Sequence, residues 1–239
     1  MRAVLCGANG AMGKLIRQLL GDEIVGMVSL DGKDGVARTF AELGKVEADV
    51  VIDFSHHTAV ADVLAYAGKI GAAVVEGTTG HTREEKELIF AAAERIPVFY
   101  SGNMSLGIAV LCRLAKQAAA AFPDADIEIV ETHHTRKVDA PSGTALMLFN
   151  AIKEVRPEAT ANLGRAGEGK RTKEEIGIHA LRLGNVVGIH EVHIHTGSQS
   201  LTLKHESGSR TMLAEGAVDA ARFMVGKEKG FYNMESMLG

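Results

Sequence analysis

Two stretches of the sequence carry side chains whose types and spacing could do chemistry. The denser runs Glu131-Thr132-His133-His134-Thr135-Arg136-Lys137-Val138-Asp139-Ala140-Pro141-Ser142-Gly143-Thr144-Ala145. His133 and Lys137 are types that exchange protons near neutral pH once their surroundings tune them. Arg136 and Lys137 could neutralise a dianionic substrate. The amides near Gly143 and Thr144, where a helical pattern opens, suit a substrate carboxylate. Pro141 stiffens the loop. A solvated charged loop is the plain alternative for residues 133–139.

The second stretch is Gly7-Ala8-Asn9-Gly10-Ala11-Met12-Gly13, between an apolar strand pattern and a helical one. Small residues there let backbone amides at a helix start approach a dinucleotide pyrophosphate. Aligned on Gly10 and Gly13, Ala8 stands where G-x-G-x-x-G has its first glycine, so a ligand-free glycine turn is the alternative. Asp31 ends the second strand pattern, where a carboxylate can bind a ribose 2′-hydroxyl or simply sit solvated in a turn. Lys33 follows and could tolerate a 2′-phosphate. The reading is NADH use, with NADPH left open.

The elements that must position these residues fall into two grammars. Up to about residue 103, short apolar runs (3–6, 24–28, 50–54, 73–76, 98–100) alternate with helical patterns at 12–20, 58–69 and 82–94. That is a parallel sheet covered on both faces. Thr82 and Glu85 have capping-box spacing. The loops after these strands, Phe54-Ser55, Gly77-Thr78-Thr79-Gly80 and Ser101-Gly102-Asn103-Met104, all fall on the carboxyl edge, where ligands bind.

Beyond this point come a long Ala- and Leu-rich helix at 106–122, a strand at 127–131 and a helix at 144–154. A Gly- and charge-rich stretch at 157–175 reads as loop. Val192 and Ile194 alternate with His193 and His195, and Leu201 and Leu203 with Thr202 and Lys204. Gly197-Ser198 between them signals a hairpin. The fold class expected is α/β: a Rossmann-type parallel-sheet domain (residues 1–104 and 210–239) plus an α+β domain with an antiparallel-rich sheet (105–209). The helical tail at 210–225 has an apolar stripe that needs the first domain to bury it.

Composition closes off other classes. The chain has 239 residues, a net charge of −4 and 46% hydrophobic content, so nothing favours nucleic acid or an anionic membrane. No apolar run reaches the roughly 18 residues of a membrane span. Cys6 and Cys112 read as core-lining thiols of a cytoplasmic protein. Adjacent His133 and His134 would point to opposite strand faces. His193 and His195 share a face but have no third ligand nearby, so no metal is expected.

The segment from Glu131 to Ala145 resembles the signature of the 4-hydroxy-tetrahydrodipicolinate reductase (dihydrodipicolinate reductase) family. Val50–Ser55, Gly77–Thr79, Asn103-Met104-Ser105-Leu106-Gly107 and Ser209-Arg210 match further family segments in order. The resemblance implies a cytoplasmic, homotetrameric enzyme of lysine and diaminopimelate biosynthesis that reduces a small cyclic dicarboxylate with NADH or NADPH. Carried over by position, His133 is the acid/base residue and Lys137 the proton donor, while His134, Gly143 and Thr144 hold substrate. Gly7, Ala8, Asn9, Gly10, Ala11 and Met12 hold the pyrophosphate, and Asp31 the adenosine ribose. Gly77, Thr78, Thr79, Ser101, Gly102, Asn103 and Met104 flank the nicotinamide. Ala11 stands where many members have Arg, Gly32 where some have a basic residue, and residues 30–47 are abbreviated, which leaves cofactor preference open. The competing readings are another Rossmann-type dehydrogenase and a non-catalytic NAD(H) sensor; a sensor has no use for the proton donor Lys137.

Overall fold

The computed structural model describes all 239 residues and divides into two compact units, one of residues 1–105 and 211–239 and one of residues 106–210. The first is built on six parallel strands: β1 (Ala3–Cys6), β2 (Ile24–Val28), β3 (Val50–Asp53), β4 (Ala73–Glu76), β5 (Pro97–Tyr100) and β11 (Gly230–Tyr232). Their spatial order is β11-β5-β4-β3-β1-β2. The chain runs outward from β1 to β2 and then returns to place β3 on the other side of β1. That reversal opens a crevice beyond the carboxyl ends of β1 and β3.

Both faces of this sheet are apolar because each is covered. Val4, Val51, Val74 and Val98 pack with Val63, Leu64, Ala67 and Ile89 of helices α3 (Val60–Ile70) and α4 (Arg83–Ala92). On the other face lie α1 (Ala11–Leu20) and α7 (Thr211–Met224), with Ile16, Ala217, Ala221 and Met224 buried. The capping box at α4 is formed: the Glu85 amide donates to Thr82 Oγ1 at 3.2 Å and the Thr82 amide to Glu85 Oε2 at 2.7 Å. The abbreviated stretch after β2 holds one helical turn, α2 (Phe40–Leu43), capped by Thr39.

The second unit has a five-stranded sheet of order β10-β9-β6-β8-β7. Its strands are β6 (Asp126–His133), β7 (Thr160–Asn162), β8 (Glu175–Arg182), β9 (Gly188–His195) and β10 (Ser200–Ser207). β9 pairs antiparallel with β6 and β10, while β8 pairs parallel with β6 and β7. Ile127, Ile129, Ile176, Ile178, Val192 and Ile194 form one face, closed by α5 (Leu106–Ala121) and α6 (Gly143–Lys153). The hairpin at Gly197-Ser198 is present, and His193 and His195 lie opposite the buried row. The stretch 157–175 is not wholly loop, since Thr160–Asn162 pairs with β8. Thr160 suits a strand but Ala161 and Asn162 do not, and the neighbouring edge of β8 imposes the pairing.

Candidate functional site

At the carboxyl edge of the first sheet the glycine turn is fixed by sterics. Gly7 has φ +75, and a Cβ there would lie 2.2 Å from the Phe54 carbonyl oxygen. A Cβ on Gly13 would lie 2.2 Å from the Gly7 carbonyl oxygen, so the start of α1 sits directly on the turn. Gly10 is the N-cap of α1, and neither a capping side chain nor a first-turn carboxylate competes for the helix-start amides. That arrangement fits a pyrophosphate.

Gly10, Ala11 and Met12 line a cavity of about 630 Å³ with Gly77, Thr78, Thr79, Gly102, Asn103 and Met104. The other expected residues support it. Gly7 and buried Ala8 lie in the turn, both donating to the Val28 carbonyl. The Ser101 hydroxyl donates to the Asn103 carbonyl at 2.7 Å and so shapes its own loop. Asn9 Nδ2 donates to Asp31 Oδ1 at 2.7 Å, and Arg17 donates to Asn9 Oδ1 at 3.2 Å. The Asn9 bond, more than any other group, holds the Asp31 carboxyl below the usual carboxylate range. Phe54 and Ser55, expected at this carboxyl edge, also line the cavity, and so do His56, His57 and Leu213, which the sequence reading did not place there. The signal for the two histidines was their place directly after Phe54-Ser55 at the end of β3; Leu213 comes from a distant helix and had none.

In the second unit, Glu131 and His133 continue the row begun by Ile127 and Ile129, at the end of the helix-covered face. Glu131 is fully buried, and its Oε2 lies 2.5 Å from His133 Nδ1. Arg182, beside His133 on β8, donates to both Glu131 oxygens at 2.9 and 3.0 Å, and the Ser142 amide donates to Oε1 at 3.0 Å. Burial pushes the Glu131 carboxyl up, but Arg182, His133 and Ser142 together bring it below the ordinary range. An ionised Glu131 fixes the His133 ring with Nδ1 toward it, which leaves Nε2 for acid–base work.

His190 packs edge-on against His133 with ring centroids 5.1 Å apart, and its Nε2 lies 3.2 Å from Ser142 Oγ. Burial, then the neighbouring His133, lowers its imidazole to about 4. Lys137 Nζ is 2.8 Å from Asp139 Oδ1. His134 Nε2 lies 3.1 Å from Arg210 Nη2, and its Nδ1 is buried without a partner. Desolvation first, then Arg136 and Arg210, lower the His134 imidazole. Ser142 caps α6 by accepting from the Ala145 amide at 3.2 Å, and open space surrounds the place of a Cβ on Gly143. Glu131, Arg182 and His190 were not assigned roles from sequence; the register of β6 with β8 and β9 is what gathers them.

A parallel sheet with a glycine turn at its switch point, followed by a unit carrying a carboxylate-held histidine and a lysine, is the architecture of a nicotinamide-dependent dehydrogenase. The comparisons with known proteins narrow this. The family model for the dihydrodipicolinate reductase N-terminus matches residues 1–104 and that for its C-terminus residues 107–238. The chain belongs to the dihydrodipicolinate reductase family. It is 42% identical to the 4-hydroxy-tetrahydrodipicolinate reductase of Caldanaerobacter subterraneus subsp. tengcongensis, covering 100% of this chain and 98% of the relative. It is 41% identical to that of Clostridium tetani, covering 100% and 97%. The fold matches the dipicolinate-bound dihydrodipicolinate reductase of Paenisporosarcina sp. TG-14 with a TM-score of 0.77 at 24% identity, over 98% of this chain and 97% of that one. The activity of the family is NAD(P)H-dependent reduction of 4-hydroxy-tetrahydrodipicolinate.

Proposed function

We propose that the chain performs this reduction with His133 and Lys137 as acid–base residues and with His134, Gly143 and Thr144 holding the cyclic dicarboxylate. The nucleotide is held by Gly7–Met12, Asp31, Gly77–Thr79 and Ser101–Met104. The observation that carries the reading is the Glu131–His133 contact of 2.5 Å, anchored by Arg182, since a purely nucleotide-sensing chain gains nothing from a buried, oriented imidazole. Loss of water from the substrate ring leaves a conjugated imine. When bound, NADH or NADPH supplies the hydride. Lys137, placed by its ion pair with Asp139, gives up the proton that completes saturation. His133 exchanges a proton at Nε2, and the α6 start orients a substrate carboxylate.

Asp31 supports NADH use by accepting from a ribose 2′-hydroxyl. Arg38 supports NADPH use as well. A Cβ on Gly32 would lie 2.6 Å from Arg38 Cγ and 2.8 Å from its Nε, so the arginine stem lies across the glycine beside Asp31. A homotetrameric assembly is supported by the second sheet, whose face opposite α5 and α6 carries His179, Leu181 and His193 and no helix of its unit. Light scattering tests that assembly. A cytoplasmic location is supported by two cysteines that form no disulfide.

The decisive assay follows NAD(P)H oxidation with freshly generated 4-hydroxy-tetrahydrodipicolinate. Lys137→Ala is expected to lower kcat/KM by about 100-fold or more while NADH binding is kept. Near-parent turnover in that variant refutes the assignment.

A further inference from the structure

Directly beneath the nucleotide cavity lie two buried carboxyls that no step above uses. β3 and β4 end side by side with Asp53 and Glu76 in register, and both side chains are fully buried. Cys6 on β1 and Tyr100 on β5 complete the same cross-strand row. No lysine or arginine pairs with either carboxyl. Their polar contacts go instead to the two loops above them. Thr78 is held at two points: its amide donates to Glu76 Oε1 at 2.9 Å and its hydroxyl to Asp53 Oδ2 at 2.9 Å. The Ser55 amide donates to Asp53 Oδ1 at 3.1 Å. Thr78 and Ser55 both line the nucleotide cavity, and neither carboxyl does.

From these contacts we infer that Asp53 and Glu76 are positioning residues: an interacting carboxyl pair that clamps Thr78 and Ser55 and thereby sets the affinity of the cavity for the nucleotide. The inference rests on the nucleotide reading of that cavity.

Two adjacent buried carboxyls without a cation keep one proton between them. It belongs on Glu76. Burial, then the neighbouring Asp53, pushes that carboxyl up to about 10. Glu76 Oε2 is buried and accepts no hydrogen bond, which an ionised carboxylate would not tolerate cheaply. The remaining neighbours do not neutralise the pair. His81, 7% exposed, has Nε2 3.8 Å from Glu76 Oε1, and desolvation keeps its imidazole below its usual range. His57 is engaged by Glu85 at 2.9 Å, and Lys86, whose charge bears on His81, makes no ion pair with either carboxyl. Burial raises the Cys6 thiol and the Tyr100 hydroxyl. A second negative charge on the pair would force the carboxylates apart and release Thr78.

The test measures NADH affinity of the full-length protein by fluorescence titration from about pH 7.5 to about pH 10. Parent affinity should fall toward the alkaline end. Glu76→Gln keeps an acceptor for Thr78 and cannot ionise, so it should bind like the parent at the lower pH and stay flat. Asp53→Asn leaves no carboxylate to repel an ionised Glu76, so the alkaline fall should be lost in this variant as well. Glu76→Leu, which strands the Thr78 amide, should bind about 10-fold more weakly at every pH. Identical pH profiles for the parent, E76Q and D53N overturn the inference even where E76L fails to fold, and so does E76L binding at parent strength. A parent that binds no NADH overturns the nucleotide reading together with this one.

Discussion

Glu131 Oε2 stands 2.5 Å from His133 Nδ1, on the same strand face, with Arg182 donating to both oxygens of the carboxylate. The histidine is thus oriented by a charge that is itself anchored, and two strands and a helix start converge on one carboxyl group.

Glu131→Gln keeps the volume and an acceptor for the Ser142 amide but removes the charge that fixes the His133 tautomer. We expect kcat to fall by about 100-fold, within the range of general acid–base contributions, with the Kd for NADH unchanged. Steady-state kinetics alongside NADH titration check this. A kcat within a factor of about 2 of the parent contradicts an orienting role for Glu131, since any acid–base loss should exceed that.

His190 links the same cluster to pH. Its ring is buried, and its imidazole stands at about 4, against an ordinary value of about 6.5 in the unfolded chain. Between those values the unfolded chain binds a proton that the native state refuses. Stability therefore falls as pH drops through this window, by up to about 1.4 kcal/mol per pH unit from this group. Urea midpoints should show a steeper acid decline for the parent than for His190→Asn. Parallel declines would place the acid sensitivity elsewhere.

The glycine turn was legible because its geometry is a matter of backbone sterics: Gly7, Gly10 and Gly13 are small for reasons that spacing reveals. The Thr82–Glu85 cap was legible for a similar reason, since both partners lie within one turn. What stayed hidden depends on register between distant strands. Arg182 reaches Glu131 only because β8 runs parallel to β6, and β8 starts inside a charged stretch that reads as loop. Glu76 reads as an ordinary strand end until β3 brings Asp53 beside it.

Cofactor choice should turn on Asp31 and Arg38. The bond from Asn9 lowers the Asp31 carboxyl further below neutral pH, and a 2′-phosphate beside this carboxylate is repelled. Asp31→Ala should weaken NADH and shift the kcat/KM ratio toward NADPH by about 10-fold, the worth of one charge-assisted hydrogen bond. Arg38→Ala should shift the ratio in the opposite direction. Side-by-side constants for both cofactors decide it, and an unchanged ratio in either variant removes that residue from the choice.

Gly216 in α7 is buried, and a Cβ there would lie 1.8 Å from the carbonyl oxygen of Met104, a residue of the cavity wall. Backbone cannot yield as a flexible side chain does, so Gly216→Ala must push α7 or the Met104 loop outward. Overpacking of this kind costs about 1–3 kcal/mol. We expect a lower thermal midpoint together with weaker NADH binding, because the displaced atom belongs to the cavity wall. Gly68 in α3 is the control, since open space surrounds the place of its Cβ. There the same substitution should stabilise by about 0.5–1 kcal/mol through helix propensity alone and leave NADH affinity untouched. If Gly216→Ala instead behaves like Gly68→Ala in both melting and titration, the close approach of α7 to Met104 does not shape the cavity.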